Sequence, residues 1–141
     1  MKPKVSFESL EFPEDIDVVS SIQLANIAMR FQGWFAYVTT ELAYVRAEYA
    51  AIEEMYEAKI GQRKYDMQKQ IPTKLTKDVL HGIVLNELDI RPWFKVKLQK
   101  EQEKFLVEGM EAGLKIQCHA IRDEQIRRMS AQKVEIASGS F

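Results

Sequence analysis

Hydrophobic residues fall at Leu24, Ala28, Phe31, Phe35, Val38, Leu42, Val45, Tyr49, Ile52 and Tyr56, at alternating steps of four and three. That is the heptad pattern of a long helix whose apolar seam lies against another helix at a shallow angle. Ser20 and Ser21 stand before it as N-cap candidates. At about 1.5 Å per residue the seam from 24 to 56 runs on the order of 50 Å. A small globule cannot bury such a line, so the pattern predicts a comparably long partner helix, from the same chain or from another copy. Gly61 interrupts the pattern, and 61–75, which includes Pro72, is predicted to be a basic loop or loosely helical link.

Thr76 can cap a short helix over 77–88, with Leu80, Ile83, Val84 and Leu88 on one face; a strand through the GIVL of 82–85 is the alternative. Pro92 suits the first turn of a second long helix, where its missing N–H is not needed. This helix is predicted to run to about Val134, with Trp93, Leu98, Phe105, Leu106, Met110, Leu114, Ile116, Ile121, Ile126 and Met129 as its apolar members. Gly109 and Gly113 each cost about 1 kcal/mol in a helix relative to alanine, so close approach of another backbone is expected there. The stripe is broad: either one wide face within the chain or two faces, the second meeting another subunit. The expected architecture is all-α, a long helical hairpin with a basic linker and a short middle helix, assembling into a homo-oligomer. It forms one domain over 1–141, with an irregular acidic segment at 1–18 and a tail that frays over 135–141. The subunit interface is expected at Phe105, Gly109, Gly113, Leu114 and Ile121.

Composition narrows the classes. A chain of 141 residues with 46% hydrophobic and 29% charged positions is ordinary globular material for one domain. No apolar run approaches the roughly 20 residues of a membrane span. The opening MKPKVSFESLEFPEDID has neither the apolar core nor the small-residue cleavage site of a signal peptide, and Cys118 is the sole cysteine. A soluble protein of a reducing cytoplasm is expected. Catalytic chemistry is scarce: there is no Gly-rich phosphate loop, nucleophile elbow or zinc spacing. His81 and His119 are the only histidines, and adjacent Cys118 and His119 point apart on a helix, so they cannot chelate one metal. Glu41, Glu48, Glu53, Glu54 and Glu57 lack an accompanying Glu-x-x-His pair and read as a solvated face. No enzyme activity, metal or cofactor is expected.

Charge changes the picture most. Residues 1–58 carry four basic and ten acidic side chains, a net of −6, whereas 59–141 carry sixteen and eleven, a net of +5. Such asymmetry points to an anionic partner for one part and a basic partner for the other, or to copies that meet acidic half against basic half. Between Lys59 and Lys77 stand Lys59, Arg63, Lys64, Lys69, Lys74 and Lys77 against one acid, Asp66, with Tyr65 interleaved and Tyr56 just before. Cations for phosphates and a ring for a base suit single-stranded nucleic acid. The competing reading is a loop that lysines merely keep soluble, and display of several such loops in an oligomer favours binding.

The stretches ANIAMRFQGWF (25–35), AEYAAIEEMYEAKIG (47–61), VLNELDIRPWFKVKLQ (84–99) and EAGLKIQCHAIRDEQ (111–125), in this order, resemble the phage recombination mediator family (UvsY-like). The resemblance spans roughly 17–128. It sets Trp34 as the tryptophan near the start of a long helix and places Lys59, followed by Arg63 and Lys64, near the family's basic DNA-contacting position. It implies a homo-oligomeric accessory protein of DNA recombination and repair, without catalytic activity, residing in the host cytoplasm if phage-encoded. Such a protein binds single-stranded DNA, contacts a RecA-like recombinase and a single-strand-binding protein, and helps the first replace the second. The alternative is a helical structural or adaptor protein that self-assembles without a nucleic acid ligand. The residues expected on DNA are Lys59, Arg63, Lys64, Tyr65, Lys69, Lys74 and Lys77.

Overall fold

The first helix begins on reciprocal hydrogen bonds: Gln23 N–H donates to Ser20 Oγ, and Ser20 N–H to Gln23 Oε1, both at 3.2 Å. This capping box satisfies two backbone donors that the first turn would leave orphaned. A computed structural model describes residues 1–139, in which α1 spans Ser21–Gln70, α2 Lys77–Leu85 and α3 Arg91–Ala137, with 3-10 turns at Phe7–Ser9 and Ile16–Val18. Among the described residues there is no strand, so the alternative strand at 82–85 is not formed. Among these residues no helix is long and apolar enough to cross a membrane.

The predicted end of the first helix needs correction. Helix α1 continues through Gly61 to Gln70, and the irregular link shrinks to 71–76. A glycine inside a helix costs about 1 kcal/mol, whereas burying an aliphatic side chain is worth about 1.5–3 kcal/mol. Ile60 is buried and Met67 is packed against the same cluster, so flanking burial outweighs the glycine. Pro72 supplies the stop, because the residue before proline is kept out of the helical region. The first turn of α2 is capped as expected, with Val79 N–H donating to Thr76 Oγ1. Helix α2 is shorter than the expected 77–88: it ends at Leu85 and Leu88 lies in the turn beyond it, while within it Leu80 and Val84 are buried and Ile83 is exposed.

The chain forms two compact units, each drawing on α1 and α3. In the unit of Leu42–Val107, Tyr56 and Ile60 of α1 meet Val84 of α2 and Ile90 in one buried cluster, with Met67, Leu85 and Trp93 against it. Glu48 accepts from Lys100 at 2.7 Å, and the ammonium groups of Lys104, Lys97 and Lys59 lie over Tyr49, Tyr56 and Trp93. Numbers rise along α1 as they fall along α3, so the two segments run antiparallel in this unit.

The other unit joins Met1–Glu41 to the chain from Glu108 onward. Leu24, Ala28, Phe31, Trp34 and Val38 of α1 are buried, as are Leu114 and Ile121 of α3. Trp34 takes the place that the heptad assigned to Phe35, because the N-terminal segment covers it. Its indole N–H donates to Val5 O at 2.8 Å, Phe7 stands edge-on to its ring at 5.4 Å, and Phe12 packs edge-on to Phe31. Helix α3 runs to Ala137, and of the tail expected to fray, Ser140 and Phe141 lie outside the described residues.

Glu124 is the one buried charged residue found among the described residues. It accepts from Arg127 at 2.6 and 2.8 Å and from Arg128 at 2.8 Å; Arg128 also donates to Ile16 O at 3.0 Å and Ser21 Oγ at 3.3 Å. A buried carboxylate is tolerable only when paired in this way. Hydrogen bonds from Arg127, then Arg128, hold the Glu124 carboxyl at about 2, below its ordinary 4.5. A depressed carboxylate contributes stability above its unfolded value and loses it as pH falls through the folded one. The Tm of the parent is therefore expected to drop between about pH 4.5 and pH 2 more steeply than that of Glu124→Gln, measured by circular dichroism melts. Parallel melting curves for the two proteins across that window would refute it.

Candidate nucleic-acid interface

Because α1 does not stop at Gly61, most of the basic stretch sits on helix and not on a loop. Lys59, Arg63, Lys64, Tyr65 and Lys69 stand on the last turns of α1, Lys74 in the link, and Lys77 at the first residue of α2. Side chains four apart share a helix face, and those one apart do not. Lys59 and Arg63 form one such pair and Tyr65 and Lys69 another, with Lys64 turned about 100° from Arg63. The predicted residues therefore do not converge on a single face. They surround the end of the helix and continue along the link.

Their chemistry differs. Arg63 is occupied: its Nε donates to Glu87 Oε2 at 2.5 Å, and that bond, with the Glu87 charge, raises the guanidinium above its ordinary value. It anchors the α2–α3 connection to α1 and contributes little free charge. Lys69 Nζ lies 4.3 Å from the ring centroid of the exposed Tyr65. Tyr56 is buried in the core cluster and is not available to a base. Lys59, Lys69, Lys74 and Lys77 are exposed and Lys64 half-exposed, so five of the six cations face solvent. The link that carries Lys74 is shaped by Gln68, whose side chain donates to Thr73 O and accepts from Leu75 N–H, both at 3.4 Å.

Two participants escaped the sequence reading. Glu87 neutralises Arg63, and Trp93 lies beneath Lys59 with 4.6 Å between Nζ and the ring centroid. Both come from the α2–α3 connection and the first turn of α3. The usable signal was the brevity of the chain from 61 to 92, which returns the start of the second long helix to the end of the first.

The expected subunit-interface residues divide. Leu114 and Ile121 are buried within their unit, at 2% and 1% exposure, while Phe105 is 57% exposed. Gly109 and Gly113 are exposed, and a Cβ built on either meets nothing within 4 Å. Among the described residues no backbone approaches these glycines as expected. Phe105, Gly109 and Ile116 follow one line of α3, roughly opposite the line of Leu114 and Ile121. Among the described residues, no three His, Cys, Asp or Glu side chains gather as a metal would require. Burial raises the Cys118 thiol above its ordinary value, which lowers its reactivity.

Comparison of the chain with protein-family models, with curated proteins and with solved structures returns no match.

Proposed function

We propose that this chain is a non-catalytic recombination mediator: a helical hairpin that self-associates, holds single-stranded DNA on its basic end, and helps a RecA-like recombinase displace a single-strand-binding protein. The observation that carries the nucleic-acid part is the set of solvent-facing cations Lys59, Lys64, Lys69, Lys74 and Lys77, grouped around the end of α1 and the link. Phosphates replace counterions at such cations, and the entropy of release drives binding. The mediator role and its partners rest on the resemblance set out above. Self-association is supported by the uncovered apolar residues of α3, among them Leu98, Phe105, Leu106, Ile116, Ile126 and Met129. Repeated display of a weak basic end would let one strand engage several copies.

The adaptor alternative shares the assembly and lacks the ligand. Anisotropy titrations with labelled single-stranded and duplex DNA at two salt concentrations separate the two. Salt-sensitive binding, tighter for the single strand, is expected; no binding of either at low salt overturns the proposal. Light scattering is expected to return a multiple of 16.4 kDa at micromolar concentration, and a monomer would remove the assembly.

A further inference from the structure

Trp93 occupies the first turn of α3 and is seated against the buried cluster of Tyr56, Ile60, Val84 and Ile90. The core therefore fixes the position of the ring. Over it lies the flexible, exposed side chain of Lys59, whose ammonium sits 4.6 Å from the ring centroid. Beside it Phe94 is exposed, with its ring tilted at 6.2 Å from that of Tyr56. A fixed aromatic ring with a cation on it offers the two groups that a nucleotide uses, a surface for the base and a charge for the phosphate. A partly exposed cation–π contact is worth less than a base stacked on an aromatic ring. Exchange of one for the other is downhill when the displaced ammonium gains a phosphate.

Tyr65 and Lys69 form a similar pair on the surface of α1, but Tyr65 is exposed and has no place in the core cluster. Ordering it costs side-chain freedom that Trp93 has already surrendered on folding.

We infer that Trp93 is a base-stacking platform for single-stranded nucleic acid, covered by Lys59 when empty: on binding, the lysine leaves the ring for a phosphate and a base takes its place. This inference rests on the strand-binding reading above and adds to it the residue that makes the site prefer unpaired bases. Duplex DNA keeps its bases stacked and cannot supply the ring with a partner.

The chain has two tryptophans, Trp34 and Trp93, so Trp34→Phe leaves the emission of Trp93 alone to report. Titrating Trp34→Phe with oligo-deoxythymidine is expected to quench that emission, with a midpoint matching the one from anisotropy, and duplex DNA is expected to quench it little. Trp93→Leu, which keeps an apolar side chain on the cluster, is expected to bind the oligonucleotide about 5- to 150-fold more weakly with an unchanged salt slope. Lys59→Met is expected to retain the quench and to lower the slope by roughly 0.7. Binding by anisotropy without quenching in Trp34→Phe, or with full affinity in Trp93→Leu, overturns the platform and leaves the strand-binding reading in place. Absence of any binding by the parent overturns both. Should Trp93→Leu fail to fold, the quench in Trp34→Phe decides.

Discussion

Leu114→Asp and Ile121→Asp are each expected to abolish the folded state, seen as loss of helical circular dichroism and of a cooperative melt. Both side chains lie on the line of α3 that is buried within its own unit, at 2% and 1% exposure. Truncating a buried leucine to alanine alone costs about 2–5 kcal/mol, and an unpaired buried carboxylate costs more. Against a total stability of about 5–15 kcal/mol for a domain, either change consumes most of what holds the chain together. Phe105→Glu and Ile116→Glu should act differently, because these positions are 57% and 70% exposed. They are expected to keep full helicity while lowering the mass seen by light scattering. A Leu114→Asp protein that stayed helical and became monomeric would move the subunit contact to the opposite face of α3.

Replacing Lys59, Lys64 and Lys69 together by alanine is expected to weaken single-stranded DNA binding roughly a hundredfold near 0.1 M salt. Arg63 is left out of the set because Glu87 holds it, and its loss would loosen the α2–α3 connection instead. Each phosphate contact to a single strand contributes roughly 0.7 to the slope of log affinity against log salt, so three lost contacts flatten it by about 2. Helicity and particle mass should not change, since none of the three lysines is part of the buried core. A triple variant matching the parent in both affinity and slope would reduce these cations to a solubilising role.

The long helices were legible because their pattern repeats. Ten seam positions from Leu24 to Tyr56 agree on one face, and seven of them are buried. Where a single residue decides, periodicity misleads. Gly61 looked like a stop, yet the burial of Ile60 and the packing of Met67 carried the helix through it. Phe35 lost its place to Trp34 because the N-terminal segment, read as irregular, lays Val5 and Phe7 against the indole. Both outcomes depend on contacts between residues distant in sequence, which periodicity along one element does not encode. The cations of the candidate site were legible from composition alone. Which of them is free was not, because Glu87 and Trp93 reach Arg63 and Lys59 through the tertiary structure.

The six-residue stretch 71–76 between α1 and α2 has a bearing on how the nine-residue α2 exists at all. Isolated helices shorter than about 12–15 residues are marginal in water. Fully extended, the stretch spans at most about 20 Å, and Gln68 draws part of it in by bonding to Thr73 and Leu75. Val84 thus searches for its partners on α1, Tyr56 and Ile60, from the end of a short leash. The local concentration of α2 around Tyr56 and Ile60 reaches the millimolar range typical of short tethers. A helix that would melt as a free peptide needs only the modest affinity of two buried side chains to stay folded there, and the length of the leash does the remainder.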